Sequence, residues 1–131
     1  MLNRIPLKKF IPAIIWFLLV LVLICLPGQE FPKMDDWSAW LEKIYFDKWV
    51  HAGIFGIMMI LFAWPFKSAD VKEEKKKSIY LLIALLTCIW GLVTECIQLY
   101  VPFRSFDLLD WAADSFGTII ALYVLRLFPT K

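Results

Sequence analysis

Residues Phe10 to Leu26, FIPAIIWFLLVLVLICL, run for seventeen positions without a charge, at the lower end of the roughly 17 to 25 residues an α-helix needs to cross a bilayer. Three further apolar runs follow, at about 49–66, 78–100 and 108–128. In hydrocarbon every backbone N–H and C=O has to be satisfied inside the chain, so a spanning run of this length reads as a helix. The pattern predicts an all-α, four-span transmembrane helical bundle, a single integral membrane domain over residues 1–131. Composition agrees, because 61% hydrophobic residues and a mean hydropathy of +0.70 exceed what an ordinary soluble domain carries.

The first run follows Lys8 and Lys9 and stops at Pro27-Gly28. A signal peptide would share the basic start and apolar core, but no small-x-small cleavage site follows, and Ile24 is bulky where a lipoprotein box before Cys25 would want a small residue. An uncleaved first span is expected. Beyond it, Trp37, Trp40, Leu41, Ile44 and Tyr45 fall on one helical face. These predict a short interfacial helix between spans 1 and 2, anchoring at headgroup level or covering a site below.

Orientation comes from the basic residues. Arg4, Lys8, Lys9, Lys67, Lys72, Lys75, Lys76, Lys77, Arg126 and Lys131 lie on one side of the predicted spans, ten against the four (Lys33, Lys43, Lys48, Arg104) of the other. By the positive-inside rule both termini and the charged loop Lys67–Lys77 are cytoplasmic, in a multi-pass protein of the cell membrane. Because topology accounts for the bases, the net charge of +2 gives no sign of nucleic-acid binding. Cys25, Cys88 and Cys96 lack C-x-x-C spacing, so they read as buried spectator thiols rather than a disulfide framework or zinc site.

The chemistry concentrates between Gly91 and Gly117. Glu95 and Gln98 share a face at the end of the third span, and Asp107, Asp110 and Asp114 share another at the start of the fourth, with Pro102 and Arg104 in the turn between them. At the start of the second span, Asp47 and His51, the only histidine, are i, i+4 neighbours. Either Asp47 orients the imidazole, or the two are a helix-end ion pair and a histidine satisfied by a backbone carbonyl. The topology gathers all of these at the outer leaflet, with Glu95 roughly 7 Å inside the third span counted from Tyr100 at 1.5 Å per residue.

An ionised acid at the centre of a span costs about 2.5 to 3.5 kcal/mol, and less near the interface. Five acids (Asp47, Glu95, Asp107, Asp110, Asp114) face two bases (Lys48, Arg104), with His51 able to add a third. The surplus can be met by carboxyls that stay protonated, by a bound cation or by a substrate amine. Imidazole with carboxylates suits Zn²⁺, Mn²⁺ or Fe, and oxygens alone suit Mg²⁺ or Ca²⁺. No diagnostic spacing such as H-E-x-x-H selects a metal, so a divalent cation stays an open alternative. Below Asp114, Gly117 and Ala121 continue the face as a seam of small residues for close helix packing.

Taken together, Asp47-Lys48-x-x-His51, Glu95-x-x-Gln98, Pro102-x-Arg104-x-x-Asp107-x-x-Asp110 and Gly117 resemble the VanZ-like membrane protein family, over about Asp47 to Ala121. Family members often carry Asn where this chain has Asp114, and a glycine near Ala121. The family takes its name from a protein linked to low-level teicoplanin resistance. The resemblance implies a multi-span protein of the bacterial cell envelope acting on or binding a lipid-linked, cell-wall or glycopeptide ligand.

Three readings of the cluster stay open. In a catalytic one, Glu95 or Asp110 is the general base or metal ligand, His51 the acid or base, and Arg104 the clamp for a phosphate or carboxylate, with Lys48, Gln98, Asp107 and Asp114 completing the binding site. In a second, the same residues bind a ligand without chemistry. In a third, they are an ion-pair network pinning three helices together. Transport is disfavoured, since four spans make a small bundle and no polar residue continues the cluster toward the cytoplasmic ends.

Overall fold

A computed structural model describes residues 5–27, 40, 42 and 45–128, and the regular elements among them are all helices, with no strand. A 3₁₀ turn, Leu7–Phe10, leads into α1 (Ile11–Cys25), followed by α2 (Phe46–Lys67), α3 (Glu73–Gln98) and α4 (Leu108–Leu127). All four are long and apolar enough to cross a membrane, α1 together with its 3₁₀ turn. Their flanks carry rows of exposed leucine and isoleucine, such as Leu81, Leu82, Leu85 and Leu86 of α3. Such a surface suits hydrocarbon as its solvent.

The helices run up and down. Lys9 beside α1 meets Ser68 at the end of α2, and Lys76 of α3 donates to the Lys67 carbonyl oxygen at 3.2 Å, so these ends share one side. Tyr80, Leu125 and Arg126 border the same cavity as Lys67 and Lys76, which brings in the end of α4. The loop joining α3 to α4 lies at the opposite side, where Arg104 Nε donates to the Leu26 carbonyl oxygen at 3.4 Å.

Three boundaries differ from the sequence reading. The predicted loop Lys67–Lys77 is helical from Glu73, because Glu73 and Glu74 in the first turn complement the positive end of the helix dipole and Lys76 folds back onto Glu73 Oε1 at 3.2 Å. The third helix ends at Gln98 rather than Tyr100. The second starts at Phe46, three residues early, after Tyr45 turns the chain through a left-handed conformation (φ 53°). The thiols are free but not all buried, since Cys25 and Cys96 lie on the exposed flanks. The predicted interfacial helix lies almost wholly outside the described residues, of which Trp40 and Glu42 are helical.

Packing is tightest between α2 and α4. A Cβ on Gly117 would collide with the Ala52 backbone carbonyl, and one on Gly56 would come within 3.2 Å of the Gly117 carbonyl oxygen. Bare backbones therefore touch here, as small-residue seams permit. Below the contact, Met59, Ala63, Tyr80, Ala84, Ala121, Leu122 and Leu125 form a core shared by α2, α3 and α4. α1 packs on the outside through Val20 and Ile24 against Met58, and Trp16 Nε1 donates to the Ile54 carbonyl oxygen at 3.1 Å.

Candidate functional site

The close α2–α4 approach decides what stands next to what at the end away from the Lys67 side. His51 precedes Ala52, the residue pressed against Gly117, and Asp114 is one turn before Gly117. The two side chains meet, with Nδ1 of His51 2.9 Å from Oδ1 of Asp114. If Asp114 is ionised, Nδ1 carries the proton, and Nε2 then faces Asp110 Oδ2 across 3.7 Å, too far for a hydrogen bond.

One turn nearer the helix ends, the Lys48 ammonium spends its three donors on three carboxylates: Asp110 Oδ1 at 2.5 Å, Asp107 Oδ2 at 2.7 Å and Asp47 Oδ2 at 2.9 Å. Asp107 has a second task, because its Oδ1 accepts from the Leu109 backbone N–H at 2.8 Å and so caps the start of α4. The hydrogen bond from Lys48, and then the one from Leu109, hold the Asp107 carboxyl below the usual aspartate range. The backbone N–H of the same residue donates to Glu95 Oε2 at 2.9 Å, closing the α3–α4 loop over the end of α3.

Exposure is graded through the cluster. Lys48, His51 and Asp110 are about a fifth exposed, whereas Glu95 and Asp114 are at 0%. Glu95 is only three residues from the end of α3, shallower than its count from Tyr100, and it is the folded loop that buries it. Each of these two acids keeps one buried oxygen with no hydrogen-bond partner among the described residues, Oε1 of Glu95 and Oδ2 of Asp114. One ligand atom from each of His51, Glu95 and Asp114 lies within 4.8 Å of the other two.

A family model, VanZ/LLP1, matches residues 10–129. The chain belongs to the VanZ/LLP1 family. It is also similar to an uncharacterized protein of Schizosaccharomyces pombe, 28% identical over 85 residues that make up 65% of this chain and 49% of that protein. The VanZ/LLP1 chain thus spans about half the length of this curated relative. No solved structure matches it at a significant level.

Of the residues singled out in the sequence, the fold brings Lys48, His51, Glu95, Asp107, Asp110 and Asp114 into one connected group. Gln98 is buried one turn beyond Glu95, but among the described residues its side chain makes no hydrogen bond to them. Arg104 is not in the group. It is exposed, follows a left-handed turn at Phe103 (φ 60°) and forms no ion pair with the acids among the described residues. The i, i+4 pairing of Asp47 with His51 is also replaced: Asp47 pairs with Lys48, and Asp114 supplies the carboxylate to His51.

Two residues escaped the sequence reading. Gly91 of α3 lies against Asp114, where an added Cβ would come within 3.0 Å of Oδ2 and 3.2 Å of the Asp114 Cβ, so the bare glycine makes room for that carboxylate. Trp111 Nε1 donates to the Cys88 carbonyl oxygen at 2.9 Å, locking α4 to α3 one turn below. An acid immediately before an apolar run is a helix-capping signal, and it would have flagged the second role of Asp107. Nothing local in the sequence marks Gly91.

Proposed function

We propose that this VanZ/LLP1 protein sits in the cell membrane with both termini cytoplasmic and uses the cluster, at the outer face, to take hold of a lipid-linked or cell-wall substrate. The ten-to-four division of basic residues supports the orientation. The observation that carries the reading is the exposure gradient, from Lys48, His51 and Asp110 at the rim to Glu95 and Asp114 at 0% within. A polar funnel at the water–lipid boundary suits a ligand with an apolar tail and a charged or hydroxylated head. In this reading His51, Glu95 and Asp110 are the groups able to move a proton, and Lys48, Gln98, Asp107 and Asp114 shape the pocket. Arg104, exposed in the α3–α4 loop and in no ion pair with these acids among the described residues, supplies the cation for a phosphate or carboxylate of the ligand.

The family resemblance makes glycopeptide susceptibility the natural assay. In cells carrying the chain, Arg104→Ala and Glu95→Gln should each abolish any change in teicoplanin susceptibility while membrane levels stay constant. Full retention in both variants would defeat the proposal.

A structural reading has its own support, because the three donors of Lys48 are already occupied and staple α2 to the start of α4. It requires every cluster variant to unfold in detergent. A folded but inactive Glu95→Gln protein would eliminate it.

A further inference from the structure

The charge balance of the cluster is worse in the fold than in the sequence, because Arg104 stands apart. Among the described residues, five acids, Asp47, Glu95, Asp107, Asp110 and Asp114, face Lys48 and His51, so five negative charges meet at most two positive ones there. Lys48 serves only the outer three acids. The inner two have no exposure and one unpartnered oxygen each. Protonating either acid would exchange a buried, unpartnered acceptor for a buried, unpartnered O–H donor, and an orphan of either kind costs about 1 to 3 kcal/mol. A cation bound by those two oxygens would satisfy both at once.

We propose that His51, Glu95 and Asp114 form a divalent-cation site of the Mn²⁺ or Zn²⁺ type. Their ligand atoms already lie within 4.8 Å of one another, and metal–ligand bonds of about 2.0 to 2.2 Å would close that spacing with small side-chain movements. Asp110 Oδ2, 3.7 Å from His51 Nε2, flanks the site from the rim. The mixed donor set, one imidazole and two carboxylates, favours Mn²⁺, Fe²⁺ or Zn²⁺ over Mg²⁺ and Ca²⁺, which prefer oxygen alone. Three protein ligands leave a position open toward the exposed side of His51 for water or a substrate oxygen. This inference rests on reading the cluster as a ligand site rather than as a structural network.

The test uses the full chain in mild detergent, without a polyhistidine tag and with Cys25, Cys88 and Cys96 replaced by Ser to remove competing thiolates. After chelator treatment, Mn²⁺ should bind saturably at one per chain and raise the unfolding temperature, with Zn²⁺ competing and Mg²⁺ competing far less. Glu95→Gln and Asp114→Asn should each weaken binding about tenfold or more. His51 is the only histidine, so ¹⁴N imidazole coupling in the electron spin-echo signal of bound Mn²⁺ identifies the site even if those variants fail to fold. Absence of saturable binding, or bound Mn²⁺ without that coupling, overturns the inference. If binding is absent yet Glu95→Gln still abolishes the susceptibility effect, the cation falls and the substrate reading stands. If binding is present but Glu95→Gln leaves susceptibility unchanged, the reverse holds.

Discussion

His51 on α2 finds its carboxylate partner 63 residues further along the chain, on α4, where Asp114 Oδ1 lies 2.9 Å from Nδ1. His51→Phe alone would leave a fully buried Asp114 uncompensated, and breaking a buried pair by removing one partner costs about 3 to 5 kcal/mol. The double variant His51→Phe/Asp114→Leu removes both and should recover most of that loss. Unfolding of all four forms of the cycle in detergent gives the coupling directly, and additive losses would mean that the two groups do not interact.

Gly117 and Gly53 should respond oppositely to the same substitution. Alanine normally favours a helix over glycine by up to about 1 kcal/mol, and Gly53 has open space where a Cβ would go. Gly53→Ala is therefore expected to be neutral or slightly stabilising. At Gly117 the methyl would meet the Ala52 backbone carbonyl, which cannot rotate away, so a loss of about 1 to 3 kcal/mol or more is expected. Thermal unfolding of the two variants in parallel checks the sign.

Acid should loosen the α2–α4 link through Asp107. Its folded carboxyl titrates below its unfolded value, chiefly because of the Lys48 hydrogen bond, so the stabilisation is full above the unfolded value near 3.9 and is lost as pH falls through the folded one. Part exposure screens the pair and keeps the effect modest and salt-dependent. Comparing unfolding temperatures from pH 3 to 7, wild type should fall toward Asp107→Asn only at the acid end, and a constant gap across the range would contradict this.

Gly91→Ala tests positioning without touching a polar group. The methyl would press on Asp114 at 3.0 to 3.2 Å and require it to shift by a few tenths of an ångström. Helical content should be unchanged, while Mn²⁺ affinity should drop about tenfold, the scale of losses from disturbing groups that support a ligand. Unaltered affinity in a folded Gly91→Ala protein would mean that Asp114 adapts freely.

Orientation can be read with thiol reagents that do not cross membranes. On a background lacking native cysteines, Tyr100→Cys, at the exposed α3–α4 loop, should label in intact cells. Asp70→Cys, in the exposed α2–α3 connection, should label only after permeabilisation. The opposite pattern would invert the topology and move the cluster to the cytoplasmic face.

The spans were legible because an uncharged run of bilayer length permits little other than a helix, and α4 begins at Leu108 as read. The grouping of Glu95 with Asp107, Asp110 and Asp114 was legible for a related reason, since helical spacing puts such residues on one face and a short turn makes the faces neighbours. Arg104 was not, because it lies in a loop, where spacing gives no direction for a side chain and the left-handed turn at Phe103 has no sequence signal. The partner of His51 was not legible, because local spacing offers only Asp47, whereas Asp114 becomes near only once Gly117 lets two backbones touch.

Asp107 caps α4 with one oxygen, grips Lys48 of α2 with the other and offers its own N–H to Glu95 of α3. Fraying of the first turn of α4 therefore unfastens an ammonium and a carboxylate on two other helices at the same instant. The first turn of α4 and its ties to α2 and α3 thus hold or give way together.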